Sequence, residues 1–161
     1  LTEDDVSFQI RDVEPRTLHE LRRRVLRGDD PASSVQDARD DDVTSHHFAG
    51  FLADRLVVSA SFFLAPAPVN PELTSYQLRY MATDFDIQGL GYGAQVLEHA
   101  GRTLRSEGAT QLWAYARDSA LGFYQRVGWS ILKGSEHIST ETKLPHTVIF
   151  KPLGDARDHL G

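Results

Sequence analysis

Gln88-Gly89-Leu90-Gly91-Tyr92-Gly93 sits where a strand-like run, Ser75 to Thr83, gives way to a helical pattern over Ala94 to Leu104. Three glycines alternating around one turn expose successive backbone N–H groups at a helix N-terminus, which is a physical recipe for gripping a phosphate. The local pattern alone leaves two readings open, an anion-binding turn and a glycine-rich turn that holds no ligand. Two phosphate fingerprints can be compared with it. A dinucleotide fingerprint asks for glycines at its first, third and sixth positions, and Gly89 and Gly91 are followed by Ala94, at best the alanine variant. The nucleotide-triphosphate loop fails more clearly, because no Gly-Lys-Ser or Gly-Lys-Thr follows.

Working outward, Ser7 to Val13 reads as a strand, and Pro15 stands in the first turn of the next helix, where its missing N–H is harmless. Leu18, Leu21, Val25 and Leu26 recur at helical spacing until Gly28-Asp29-Asp30-Pro31 stops them. Residues 28–44 form a polar loop with room for a short helical piece. His46 to Ala53 and Leu56 to Leu64 predict two strands around a turn at Asp54 and Arg55. Three prolines, Pro66, Pro68 and Pro71, mark the following loop. After the glycine turn, Val96, Leu97, Ala100 and Leu104 make an inward stripe. Thr110 to Ala116 is a strand, Ser119 to Val127 a helix that Ser119 caps and Gly128 ends, and Trp129 to Leu132 and Thr147 to Phe150 supply the last strands. Gly134 to Pro145 reads as a polar connection between them. The alternation predicts an α/β sheet covered by helices, with hairpins at its beginning and end.

The chain of 161 residues, 40% of them hydrophobic, fits one domain with a core over about residues 7–152 and short flexible termini. It has no cysteine, so disulfides, thiolate metal sites and cysteine nucleophiles are excluded. No apolar run approaches the roughly 20 residues that span a bilayer, and the acidic start at Thr2, Glu3, Asp4 and Asp5 is unlike a secretory signal, so the expected location is the cytoplasm. Seventeen basic against 23 acidic residues give a net charge of -6, which argues against wide nucleic-acid contact. The basic cluster Arg22, Arg23, Arg24 and Arg27 reads as a solvated helix face, while Asp37, Asp40, Asp41 and Asp42 beside a pocket would favour a cationic substrate such as an amine.

The glycine turn acquires a partner in Ala120-Leu121-Gly122-Phe123-Tyr124-Gln125-Arg126-Val127-Gly128-Trp129. Together the two blocks resemble the GCN5-related N-acetyltransferase (GNAT) family. The first is similar to its Gln/Arg-x-x-Gly-x-Gly/Ala pyrophosphate loop, the second to its Ala-x-x-Phe-Tyr-x-x-x-Gly-Phe block with Trp129 in place of Phe. The resemblance implies a GNAT-type mixed sheet, central antiparallel and splayed, flanked by helices, with acetyl-CoA between the fourth and fifth strands. It also implies that backbone N–H groups of Gly89, Leu90, Gly91, Tyr92, Gly93 and Ala94 hold the pyrophosphate, with the Gln88 amide completing the cradle. Tyr80, Met81 and Ala82 would pair with the pantetheine arm through their main chain, and the Met81 N–H would serve as oxyanion donor. Tyr124 matches the general acid near the thioester sulfur, a phenol suited to protonating the departing thiolate; a buried aromatic beside Phe123 and Trp129 is the structural reading of the same residue. Arg117-Asp118-Ser119-Ala120 departs from the family's Asn-x-x-Ala, which puts the usual asparagine contact in doubt; Arg117, with Ser119 and Phe123, is a candidate cofactor contact, and a surface arginine is the other reading of Arg117.

The acceptor side is less well marked. An attacking amine must lose a proton, and His47 is the candidate base, with His46, His137 and His146 as weaker choices. The seven histidines show no HExxH spacing, so no metal is expected. Leu26-Arg27-Gly28, the Asp40 to Asp42 run, Tyr76 to Arg79 and Pro145-His146 resemble a poorly characterised bacterial branch of the family. Arg27, Arg79 and His146 are accordingly candidate substrate contacts, and two arginines in the pocket would suit a carboxylate-bearing amine. The implied activity is transfer of an acetyl group to the primary amine of a small or amino-acid-like metabolite by direct attack. The alternatives are a protein or peptide acetyltransferase and a non-catalytic acyl-CoA-binding sensor. A homodimer is compatible with the resemblance.

Overall fold

A computed structural model describes residues 7–154; the acidic start and the last seven residues lie outside the described part. The fold is mixed α/β, with a central, mostly antiparallel sheet flanked by helices. The chain divides into two compact units, the first made of residues through Phe63 with Tyr80–Ala100, the second of Leu64–Arg79 with the residues from Gly101 onward.

In the first unit, β1 (Phe8–Asp12), β2 (His46–Leu52) and β3 (Arg55–Leu64) form an antiparallel meander. Pro15 opens a 3-10 turn, Pro15–Leu18, that runs into α1 (His19–Leu26). Residues 28–44 contain turns and no helix. Strand alternation sends β2 and β3 side chains to opposite faces. Phe48 and Phe62 lie on one face, where the His99 ring meets Phe48 edge-on, while His47 and Ser61 lie on the other with Arg22 of α1. The strand β4 (Ser75–Thr83) matches its sequence expectation and enters this unit at Tyr80.

The helix α2 (Tyr92–Ser106) starts two residues earlier than the sequence pattern indicates, inside the glycine turn. Its first residue is held from outside the helix: the Tyr92 ring lies 4.4 Å from Phe8. Gly50 of β2 makes room for that Phe8 ring, since a Cβ there would come within 2.5 Å of Phe8 Cζ.

In the second unit, the N-terminal part of β4 pairs in parallel with β5 (Gln111–Arg117), and β8 (Pro145–Pro152) lies antiparallel to β5. The shared β4–β5 ladder covers three pairs, from Ser75 with Gln111 to Gln77 with Trp113, although both strands continue. β6 (Ser130–Ile131) and β7 (His137–Ile138) both pair with β8. The polar connection after Gly134 therefore contains a short strand, which two residues are too few to signal by alternation. The buried Gln111 amide ties down the proline-rich loop, donating to Val69 O and Ser75 Oγ and accepting from Asn70. The 3-10 turn Asp118–Ala120 and α3 (Leu121–Arg126) complete the unit. Ser119 does not cap α3: it lies within the 3-10 turn, Ala120 occupies the cap position, and no side chain caps either segment.

Candidate active site

The glycine turn has the backbone its composition demands. Gly89 and Gly91 adopt φ +83° and +89°, in the region open to glycine and strained for other residues. A Cβ added at either would meet no atom within 4 Å, so the turn leaves open space beside its backbone. Gly93 differs from its two neighbours in being buried in the first turn of α2. The turn therefore delivers the chain to the N-terminus of a 15-residue helix, where unpaired N–H groups and the positive end of the helix dipole coincide. That geometry suits a pyrophosphate. Gln88 is exposed and its side-chain nitrogen donates to Thr83 O at 3.0 Å, closing the segment between β4 and the turn. Leu90 is exposed.

One carboxylate fixes the approach to this turn. Asp84 accepts from the Phe85 N–H, capping the 3-10 turn Phe85–Ile87, and also receives Arg24 at 2.7 and 3.1 Å and Arg55 at 2.9 Å. Its own N–H donates to Val57 O. Arg24 first, and Arg55 after it, hold the Asp84 carboxyl down at about 2 against the opposing effect of burial. Because Arg24 is one-third and Arg55 half exposed, solvent screens part of this network. Asp84→Asn is expected to destabilise the fold by about 2 kcal/mol, below the full cost of breaking a buried pair. Urea denaturation of both forms checks this effect.

Tyr80, Met81 and Ala82 follow one another on β4, and Tyr80 stands at φ +58° inside the strand. A bulky residue in that region costs about 1–2 kcal/mol. Its surroundings oppose the cost. The Arg22 guanidinium lies 4.2 Å from the Tyr80 ring centre, an interaction worth about 2 kcal/mol when desolvated. Ser59 Oγ donates to Tyr80 O at 3.1 Å, and the Tyr80 hydroxyl donates to Gln36 O at 3.4 Å.

Arg22 is fully buried, contrary to the expectation that the arginine cluster forms a solvated face. It donates to Val35 O at 2.7 Å, to both Asp40 oxygens at 3.2 and 3.4 Å and to Ser61 Oγ at 2.7 Å. Asp37 is likewise engaged, by Arg39. Two carboxylates of the acidic run are thus occupied by arginines of the same chain.

His47 belongs to this buried cluster. Its Nε2 lies 2.8 Å from Asp40 O and its Nδ1 2.7 Å from Ser61 Oγ. A carbonyl only accepts, so Nε2 carries the proton. Burial holds the His47 pKa below the ordinary histidine value, which keeps the ring neutral and leaves Nδ1 to accept the Ser61 hydroxyl proton. The one lone pair a base would use is therefore already occupied. Burial also depresses His19, whose Nε2 stands 3.7 Å from Asp40. For both rings the unfolded chain binds the proton more readily, so their contribution to stability is complete above about pH 6.5 and is lost as pH falls through the lowered folded values. Urea midpoints should decline from pH 7 to 5, with a shallower slope in His47→Gln. An unchanged slope would contradict the assignment.

In the second unit, Tyr124 of α3 is buried, with its ring 5.2 Å from Phe123 and 5.5 Å from Trp129. Burial raises its pKa well above the usual phenol range, so it stays protonated. Arg117 and Phe123 are half-buried and Ser119 is exposed. Arg79 pairs with Glu141 at 2.9 Å. His146 is buried and its Nδ1 lies 2.9 Å from Leu144 O, so Nδ1 is the donor and Nε2 takes no part in that bond. His137 sits opposite it in the β7–β8 register, with Nδ1 on Ser135 O. In the first unit, Arg27 Nη1 donates to the Leu26 carbonyl, and His46 stacks on Phe48.

Arg22, Ser61 and Asp84 are the residues that sequence reasoning left out of the site, and Asp40 is held by Arg22 where the sequence placed it before a cationic substrate. The anchors of Arg22 at Val35, Asp40 and Ser61, and the Arg24 partner of Asp84, lie 13 to 60 positions away, beyond any local spacing signal. No helix among the described residues is long and apolar enough to cross a membrane.

Residues 15–129 match the family described as "Acetyltransferase (GNAT) family". The chain is 27% identical over 150 residues to "Uncharacterized N-acetyltransferase YitI" of Bacillus subtilis, covering 93% of this chain and 99% of that protein. Among solved structures, the ribosomal-protein-S18-alanine N-acetyltransferase of Escherichia coli superposes with a TM-score of 0.69 at 18% identity, over 93% of this chain and 96% of that one. An aminoglycoside 6'-N-acetyltransferase complexed with coenzyme A superposes at 0.68 and 12% identity, over 91% of this chain and 97% of that one.

Proposed function

Because the chain belongs to the GNAT acetyltransferase family, we propose that it is an acetyl-CoA-dependent N-acetyltransferase acting on the primary amine of a small or amino-acid-like metabolite. The observation that carries the reading is the turn of two left-handed glycines opening onto the N-terminus of α2. A fold relative solved with coenzyme A supports the same cofactor.

When bound, acetyl-CoA supplies an activated acetyl thioester. The N–H groups from Gly89 to Ala94 hold its pyrophosphate, assisted by Gln88, and anchor the molecule through charge-assisted hydrogen bonds at the helix end. Tyr80, Met81 and Ala82 align the pantetheine arm through their main chain. The Met81 N–H would donate to the thioester carbonyl oxygen, where attack by the amine would place negative charge. Tyr124 would give its phenolic proton to the departing sulfur. Arg117, Ser119 and Phe123 flank the cofactor.

The amine must shed a proton, and His47 is a poor recipient because its lone pair already accepts from Ser61. His146, whose Nδ1 is taken by the Leu144 carbonyl and whose Nε2 is not part of that bond, takes that role directly or through water. Arg27 and Arg79 are the candidate acceptor contacts, Arg79 by exchanging Glu141 for an acceptor carboxylate. Cytoplasmic residence and homodimerisation belong to the same proposal; light scattering on the purified chain decides the second.

An amine panel read by free-thiol release tests the reading. Turnover with small amines is expected. Turnover with lysine-bearing or N-terminal peptides alone would instead favour a protein acetyltransferase, and coenzyme binding without turnover on either panel would favour an acyl-CoA sensor.

A further inference from the structure

The buried arginine of α1 has a role that its position on a surface helix hides. We infer that Arg22 is a positioning residue: it locks Tyr80 in the left-handed conformation and thereby aims the next peptide N–H, that of Met81, at the thioester carbonyl. The inference rests on the acetyl-CoA reading given above.

A strand residue with φ near +58° interrupts the regular alternation of N–H directions, so the peptide after it leaves the direction the ladder would give it. Tyrosine does not adopt that backbone unaided. The Tyr80 ring is covered by the Arg22 guanidinium, whose position is fixed by Val35 O, the Asp40 carboxylate and Ser61 Oγ. Those three anchors come from the 28–44 loop and from β3. Arg22 therefore ties the loop and the sheet to one side chain on β4, and through it to one backbone torsion. Lysine cannot replace it: a single ammonium lacks the planar fork that meets these acceptors while covering a ring. The glycine turn makes none of these contacts, so the pyrophosphate grip does not depend on Arg22.

The test uses acetyl-CoA labelled with 13C at the thioester carbonyl, which needs no acceptor. Bound to the wild type, the labelled carbonyl band is expected at lower frequency than in buffer. In Arg22→Lys the band returns toward its solution position, while coenzyme A affinity stays within about threefold. With an amine that the panel identifies, kcat falls about 10–100-fold, less than loss of an entire oxyanion donor. Tyr80→Gly, which adopts the left-handed backbone without support, supplies the second arm. In that background, Arg22→Lys is expected to change kcat less than threefold.

Should Arg22→Lys fail to fold, Ser61→Ala removes one anchor of the guanidinium, and a weaker shift of the same band is expected. A band and kcat unchanged in a folded Arg22 or Ser61 variant would overturn the inference and leave the acetyl-CoA reading intact. Equal losses with and without the Tyr80 ring would also overturn it, as a merely structural role. Failure of the wild type to bind acetyl-CoA would overturn both together.

Discussion

Gly91→Val is expected to weaken acetyl-CoA binding about a hundredfold or more while leaving the fold standing. The position has φ +89°, outside the small left-handed region that non-glycine residues visit, and a β-branched side chain is the least able to follow. A Cβ there meets no atom within 4 Å, so the defect is one of torsion and not of packing. The turn relieves that strain by rotating its peptides, and the N–H groups at the start of α2 then no longer converge. Losing two charge-assisted hydrogen bonds, at roughly 1.5–3 kcal/mol each, corresponds to a hundredfold or more in affinity. Gly108→Val is the control. Gly108 has φ +103° and equally open surroundings, but follows the other end of α2. It should lower the melting temperature and leave coenzyme affinity unchanged. Calorimetric titration of the two variants separates backbone strain in general from strain at the turn.

Tyr124→Phe is expected to lower kcat by about a hundredfold with the Michaelis constant for acetyl-CoA nearly unchanged, within the range of general-acid losses. The ring remains to pack on Phe123 and Trp129, so the aromatic cluster survives. Phenylalanine keeps the shape of the ring and its packing partners, so thermal stability should change little. Its raised pKa keeps the proton in place across the working pH range. Unchanged kcat in a folded Tyr124→Phe enzyme would remove Tyr124 from the proton path and return it to the core.

The parts of the site legible in sequence are those where local chemistry dictates the backbone. Gly89 and Gly91 announce left-handed torsions because little else tolerates them, and Pro15 announces a helix start because its N–H is dispensable there. β4 was readable residue for residue from its bounding turn residues. What failed depends on partners distant in sequence. Arg22 shares its helix with Arg23 and Arg24 and looks like them until Asp40, Ser61 and Tyr80 close around it. Asp40 looked available to a cationic substrate for the same reason. Ser119 has the composition of a helix cap, yet the chain enters α3 through a 3-10 turn that moves the cap one residue on. Strand β7, only His137 and Ile138, owes its existence to β8 beside it and not to its own pattern.

The central claim is that the turn from Gln88 to Gly93 holds the pyrophosphate of acetyl-CoA. Calorimetric titration of the wild-type chain with acetyl-CoA, and with acetyl-pantetheine, which carries the thioester and no pyrophosphate, tests it most directly. Saturable one-to-one binding of acetyl-CoA, with acetyl-pantetheine weaker by at least about a hundredfold, is the predicted result, given the charge-assisted contacts that only the pyrophosphate makes. No binding of acetyl-CoA, or equal binding of the two, would contradict it.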